Sequence, residues 1–376
     1  MRLLPRARGE VEIDHDAVRS AVASVRDPEL GLGLEDAGML QDVSVSGSGT
    51  VRVSVNLTTP ACPMKEQLSS DIQVAVTEIP GVSRVEVTFG AMSEGEKIQL
   101  SGRLRGDRVG HPFGPDSSTA VYAVASGKGG VGKSSVTANL AVALAAQGKR
   151  VGVLDADVWG WSMPQLFGVR RAPVAIKGLM LPVESHNVQV MSVGFFVSDD
   201  EPVIWRGPML HKALEQFLGD VHWGELDVLL IDLPPGTGDI QISLLELVPD
   251  AQMLLVTTPQ QTAVGVAERV GVMARNQRVP IAGVIENMSA SVCGHCGRST
   301  SVFGSGGGRA LAEKLDVALL GSIPLDEALV RSGDSGVPVV VAEPGAVSSA
   351  TFLDIAAELP VVKRSLVGRS LPLSVV

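Results

Sequence analysis

Ser126-Gly127-Lys128-Gly129-Gly130-Val131-Gly132-Lys133-Ser134-Ser135 is the run of this chain best suited to chemistry. Gly127, Gly132, Lys133 and Ser134 have the spacing of a phosphate-binding P-loop, set between an apolar run (Val121 to Ala125) and the helix-prone Val136 to Leu144. Glycines let successive backbone N–H groups curl around phosphate oxygens, and the helix N-terminus adds a favourable dipole. Gly127, Gly129, Gly130, Val131, Gly132, Lys133, Ser134 and Ser135 are thus the nucleotide-binding candidates. Lys133 is expected to reach the β- and γ-phosphates of ATP, and the Ser134 hydroxyl to ligate Mg²⁺. The alternative is a glycine-rich turn with no ligand, which the complete motif in a strand–loop–helix setting disfavours.

Carboxylates follow at strand ends. Val151 to Leu154 closes on Asp155-Ala156-Asp157, and Leu229-Leu230-Ile231 closes on Asp232. Strand, helix and returning strand predict a right-handed parallel βαβ unit, whose ligands gather at the carboxyl ends of the strands. Asp155 is expected to hold the Mg²⁺ shell through water, and Asp157 to position the attacking water or accept its proton. Otherwise one of the two acids simply caps the next segment. Asp232 has the form of a Walker B carboxylate, coordinating Mg²⁺ through water. The loop after it, Leu233-Pro234-Pro235-Gly236-Thr237-Gly238-Asp239, is restricted by its prolines, and a backbone N–H there is placed to sense a γ-phosphate. Asn287, past the run Ile281 to Ile285, either pairs with an adenine edge or caps a loop.

Cys62, Cys293 and Cys296 are the three cysteines of a 376-residue chain. So few suggest a reducing cytosol, with thiols kept for metal or redox work. Cys293-Gly294-His295-Cys296 reads as a zinc half-site, a redox pair or cluster ligands. The chain has no second CxxC, and His295 points away from a pair chelating through i and i+3. Cys62 precedes a helix N-terminus, where the dipole favours thiolate. It reads equally as a small buried apolar residue.

The elements that position these residues are legible in outline. The length suggests two domains, 45% hydrophobic residues can fill buried cores, and 42 glycines with 3% aromatics suit α/β packing. A net charge of −10 argues against broad nucleic-acid binding. The basic N-terminus lacks the apolar core of a signal peptide, and no stretch has the length of a membrane span. Residues 1–93 read as a small α+β domain in the order α-β-β-α-β, with Val51, Val53, Val55 and Leu57 alternating inward. Residues 94–118, charged and rich in Gly and Pro, read as a linker. Residues 119–376 form the expected α/β P-loop NTPase domain, a mostly parallel sheet flanked by helices. The tail from Val361 to Val376 is basic and apolar, but Pro372 argues against an amphipathic membrane helix.

Lys128, directly after the first glycine, makes the loop resemble the deviant Walker A ATPases, the MinD, ParA and nitrogenase iron-protein group. The resemblance implies that Lys128 reaches a partner's nucleotide across a two-fold dimer, and that Asp157 is the water-positioning acid. Two facing CxxC pairs then supply four thiolates across the axis, and a bridging [4Fe–4S] cluster follows. Asp27-Pro28-Glu29, Thr59-Pro60-Ala61-Cys62-Pro63-Met64 and Ile79-Pro80-Gly81-Val82 resemble the small SufT-type domain over residues 12–92. That domain is associated with iron–sulfur assembly, which raises Cys62 to a client or cluster contact.

Further runs complete a pattern: Trp205-Arg206-Gly207-Pro208-Met209, Glu286-Asn287-Met288, Ser322-Ile323-Pro324-Leu325-Asp326 and Asp334-Ser335-Gly336-Val337-Pro338. Together with the P-loop, the acids and the CxxC they resemble the Mrp/ApbC-type iron–sulfur cluster carriers. The resemblance implies a cytoplasmic ATPase and homodimer that carries a [4Fe–4S] cluster. Its partners would be scaffold proteins and apo iron–sulfur proteins, not nucleic acid or membrane. It also implies that Pro324 joins Asn287 among the nucleotide contacts. Trp161 stands where the family usually has proline, which unsettles the local switch I geometry. Two rivals stand beside this reading. A MinD/ParA-like positioning ATPase leaves the CxxC and the N-terminal domain unexplained. A zinc-stapled, nucleotide-dependent interaction protein shares the dimer.

Overall fold

The computed structural model describes residues 13–46, 48–60, 62, 64–106, 111–114, 117–157, 160–196, 207–236, 238–293 and 295–361. The Trp205-Arg206 pair and the tail beyond Val361 lie outside them. The chain divides into two units: residues 1–107 with 174–181, and residues 108–173 with 182–376.

In the first unit, Asp14 caps α1 (His15–Ser24) by accepting the N–H groups of Asp16 and Ala17, and Val18 and Val22 face inward. β1 (Leu40–Val45) runs antiparallel to β2 (Thr50–Leu57). The expected alternation holds, with Val51, Val53, Val55 and Leu57 buried. α2 (Lys65–Thr77) then crosses over and buries Leu68, Ile72 and Val76. It delivers β3 (Arg84–Ala91) parallel to β2. The stretch read as a linker departs from that expectation, because α3 (Glu94–Arg105) occupies its first half. Ser93 and Glu96 close a capping box at its start, and Leu100 and Leu104 join the unit's core. Gly95 and Gly102 mask this helix in the sequence, since glycine lowers helix propensity.

The second unit begins with β4 (Ala120–Ser126), α4 (Lys133–Ala146), β5 (Val151–Asp155) and the single turn α5 (Met163–Leu166). The chain then makes the hairpin β6 (Val174–Ile176) and β7 (Leu179–Leu181), turning through Lys177 and Gly178 at positive φ. This hairpin belongs to the first unit, where Ile176, Leu179 and Leu181 are core residues. The expected continuous domain over 119–376 is therefore interrupted. The second unit resumes with β8 (Val183–Ser185), β9 (Val188–Ser192), α6 (Gly207–Gly219), β10 (Val228–Asp232) and α7 (Asp239–Leu247). Next come β11 (Gln252–Thr257), α8 (Gln261–Asn276), β12 (Ile281–Glu286), β13 (Ser291–Val292) and β14 (Ser299–Thr300). α9 (Gly307–Lys314), β15 (Leu319–Ser322), α10 (Glu327–Ser335), α11 (Val339–Ala342) and α12 (Val347–Glu358) complete it.

Its sheet has the order β15-β12-β11-β4-β10-β5-β9-β8. Every pairing is parallel except that of β8 with β9. β4, β5 and β10 are buried along their whole length, which is why they read as unbroken apolar runs. This is the mostly parallel α/β P-loop architecture the sequence predicts. Among the described residues no helix is long and apolar enough to cross a membrane.

Candidate functional site

Three neighbouring strands, β4, β10 and β5, end together. Their register sets Val124 beside Asp232 and Asp232 beside Asp155. The P-loop leaves β4 at this edge and α4 begins at Lys133, so the loop and Asp157 line one cavity of about 550 Å³, with Asp232 and Asp155 buried beneath it. Gly127, Gly130 and Gly132 serve different needs. A Cβ on Gly127 would lie 2.4 Å from backbone atoms of Val266 and Ala267 in α8. Gly130 takes φ +82° in open space, the left-handed turn that aims N–H groups inward. Gly132 takes φ +79°, and a Cβ there would meet Asn287 Nδ2 at 2.2 Å.

Lys133 is 6% exposed, with Nζ 2.6 Å from Asp232 Oδ2 and 4.0 Å from Asp157 Oδ2. Ser134 Oγ donates to Asp232 Oδ2 at 2.6 Å, and Thr137 Oγ1 donates to Asp232 Oδ1 at 2.8 Å. A hydroxyl and a carboxylate in contact are hard oxygen donors, which suits Mg²⁺. Thr137 is a site residue the sequence reading missed. Its signal was there, one helical turn after Lys133 on the face that looks at β10.

Asp155 and Asp157 part company. Asp157 borders the cavity and accepts the Gly160 N–H at 3.0 Å. Asp155 has no exposed surface. Its Oδ1 accepts the Asp157 N–H, and its Oδ2 accepts from Ser192 Oγ and from the N–H groups of Ser162 and Met163. It is bonded under the site, holding the segment after β5 to β9. Burial, reinforced by the neighbouring Asp232 charge, pushes its carboxyl up to about 7. The departure at Trp161 has a local match, because a Cβ on Gly194 would strike the Trp161 indole at 2.5 Å.

The Walker B loop is tied back to β4. Leu233 N–H donates to Val124 O and Gly236 N–H to Ser126 O. Gln241, fully buried, donates to Pro234 O at 2.8 Å and was not foreseen. Asn287 Nδ2 donates to Val131 O at 2.9 Å, and its Oδ1 accepts the Met288 N–H. Its amide is thus fixed against the P-loop. Pro324 is buried one residue past Ile323, whose N–H donates to Glu286 O beside Asn287. Lys128 is half-buried, its Nζ 3.4 Å from Gln260 Oε1.

Cys293 and Cys296 are exposed free thiols at the tip of the β13–β14 ribbon. Cys293 N–H donates to Arg298 O and Gly297 N–H to Cys293 O, closing a tight turn. Backbone N–H groups of Cys296 and His295 converge on the Cys293 sulfur and hold its thiol below the ordinary range. Such a turn favours thiolate at Cys293, the form that binds metal. Cys62 lies elsewhere. It is 8% exposed within the first unit's apolar core, with its thiol directed at Glu29 Oε2 at 3.9 Å. Of its two readings, that geometry matches the small buried residue.

Residues 117–360 match the family described as NUBPL iron-transfer P-loop NTPase, and residues 15–89 match the family described as iron–sulfur cluster assembly protein. An iron–sulfur cluster carrier protein of Mycobacterium bovis is 48% identical over 366 residues, covering 95% of this chain and 96% of that one. One from Bacillus subtilis is 39% identical over 316 residues, covering 84% and 89%. Among solved structures, a nucleotide-binding protein of Archaeoglobus fulgidus in complex with ADP is 36% identical with a TM-score of 0.53, covering 67% of this chain and 94% of that one.

Proposed function

The chain belongs to the NUBPL-type family of iron-transfer P-loop NTPases, together with the iron–sulfur cluster carrier proteins, and from that membership we propose what it carries and how. Two copies hold one labile [4Fe–4S] cluster through Cys293 and Cys296 of each, and ATP binding and hydrolysis govern its delivery to apo-proteins. The cluster is cargo. The observation that carries the reading is the exposed Cys293–Cys296 turn, whose backbone amides favour thiolate at one sulfur. With three cysteines in the sequence and one of them buried, a four-thiolate site calls for a second copy. The cysteine usage also supports a cytoplasmic setting.

At the nucleotide, Lys133 neutralises β- and γ-phosphoryl oxygens, and the loop glycines offer their N–H groups. Ser134 and Asp232 would hold Mg²⁺, which supplies positive charge beside those oxygens. Asp157 would orient water for attack on the γ-phosphorus, a role supported by its position at the cavity beside Lys133. Lys128 contributes to the partner's nucleotide after leaving Gln260. Asn287 and Pro324 flank the base.

Anaerobic reconstitution with iron and sulfide, followed by metal analysis, tests the cargo. Wild type is expected to take up one cluster per two chains, and Cys296→Ala to lose it. Iron content untouched by that change would sink the reading. Zinc in place of iron would favour the stapled-interaction alternative, since the same turn suits zinc. Separately, Lys133→Ala is expected to lower ATP turnover by about a hundredfold or more, in line with losing a charge-stabilising group.

A further inference from the structure

The excursion from Asn287 to Gly306, between β12 and α9, carries the cysteines. Its incoming limb is strapped to the run after β15: Ser289 N–H donates to Ile323 O, Leu325 N–H to Ala290 O, and Val292 N–H to Leu325 O. Its outgoing limb follows a different course. Three residues past β14, Phe303 is half-buried between the exposed Val302 and Gly304. It helps line a second, smaller cavity of about 120 Å³ on the Lys128 side of the P-loop. The other walls include Lys128, Gly130, Gln260, Met288 and Thr258. Thr258 Oγ1 is buried there without a hydrogen-bond partner among the described residues. Gly304 at φ +88° and Gly306 at φ +77° lie between Phe303 and α9, so the backbone can pivot there without steric penalty.

We propose that Phe303 is a positioning residue that couples Lys128 to the cysteine turn. While Lys128 lies against Gln260, its stem and the Phe303 ring share the walls of one small cavity. When Lys128 swings away toward a nucleotide, that wall is lost and the ring must follow or leave a larger void, which costs packing energy. Phe303 is joined through Ser301 and Val302 to β14, and β14 is paired with β13, the strand that leads into Cys293. The incoming limb is held by its three backbone bonds, so movement falls on the outgoing limb. The nucleotide state is thereby read out at the thiols. The coupling has a use only if Cys293 and Cys296 carry cargo, so it rests on the carrier reading.

The test uses the full-length, reduced, metal-free protein. Alkylation rates of Cys293 and Cys296 are followed by mass spectrometry, with and without Mg²⁺ and a non-hydrolysable ATP analogue. In wild type the nucleotide is expected to change those rates by about fivefold or more, the scale of ordinary coupling between sites. Phe303→Ala should bring the ratio close to one, with the analogue's affinity within about twofold of wild type. Phe303→Leu, which keeps apolar bulk, should retain most of the ratio and guards against a general folding defect. Gln260→Ala should shift the nucleotide-free rates toward the nucleotide-bound ones. A wild-type ratio of one, or a full ratio in Phe303→Ala, overturns the proposal. Failure to take up iron in the reconstitution above would remove the carrier reading and leave this ratio as measured.

Discussion

Buried carboxylates mark both units, and in each the folded chain spends stability to keep them. Asp27 is 3% exposed at the end of the first helix's turn, where its Oδ1 accepts the N–H groups of Glu29 and Leu30 at 2.9 Å each. Burial raises its carboxyl above the ordinary 3.8, more than the two N–H bonds lower it. The native state therefore keeps this proton to higher pH than the unfolded chain does. The resulting stabilisation is complete below 3.8 and is lost as pH rises through the folded value. Asn keeps an oxygen for both N–H donors and carries no charge. Asp27→Asn is expected to be more stable than wild type at neutral pH, with the gain fading on acidification. Urea unfolding at neutral and acid pH checks it, and a difference that does not change with pH would contradict it. At this scale the sequence is legible where one residue type has one chemical use. Lys133, Ser134 and Asp232 meet as their spacing implies. The partners of Asp155 were not legible, because Ser192, Ser162 and Met163 are chosen by the pairing of β5 with β9 and by the turn into α5.

Elements add constraints that no single residue announces. The P-loop's first glycine looks like a phosphate ligand in sequence. In the fold its missing side chain makes room for α8, whose backbone lies 2.4 Å from where a Cβ would sit. Backbone cannot rotate aside as a flexible side chain can, so either the loop or α8 must shift. Gly127→Ala is expected to cost about 1–3 kcal/mol, the usual range for overpacking, and to weaken ADP binding along with it. Gly129, with nothing within 4 Å of its would-be Cβ and no positive φ, is the matched control. Gly129→Ala should leave the thermal midpoint near wild type. Equal midpoints for the two variants would refute the packing account. The same scale explains why the central strands of the second unit were readable. Its central strands are buried on both faces and so are uniformly apolar. α3 was hidden because its two glycines outweigh, to the eye, the Ser93–Glu96 capping box that starts it.

The chain's connectivity sets the last constraint. A cut at residue 118 looks natural in sequence, yet the first unit's core draws on a hairpin 56 residues further along, at 174–181. Ile176, Leu179 and Leu181 are at most 3% exposed there. Three side chains on either side of a Lys177-Gly178 turn, in a short apolar run, give no sign in sequence that their core belongs to another part of the chain. A fragment lacking residues 1–107 would expose all three, each worth about 1.5–3 kcal/mol of burial. Such a patch favours self-association. The fragment is therefore expected to aggregate or elute as mixed oligomers. A second fragment, with residues 174–181 also replaced by a short Gly/Ser link, should be monodisperse and still bind ADP, since the phosphate loop and its acids all lie outside the deleted segments. Light scattering and nucleotide titration distinguish the two. Equal solubility of both fragments would show that the hairpin is no part of the first unit's core. Loss of ADP binding in the second alone would mean that the segment after β5 depends on the hairpin to hold Asp157 in place.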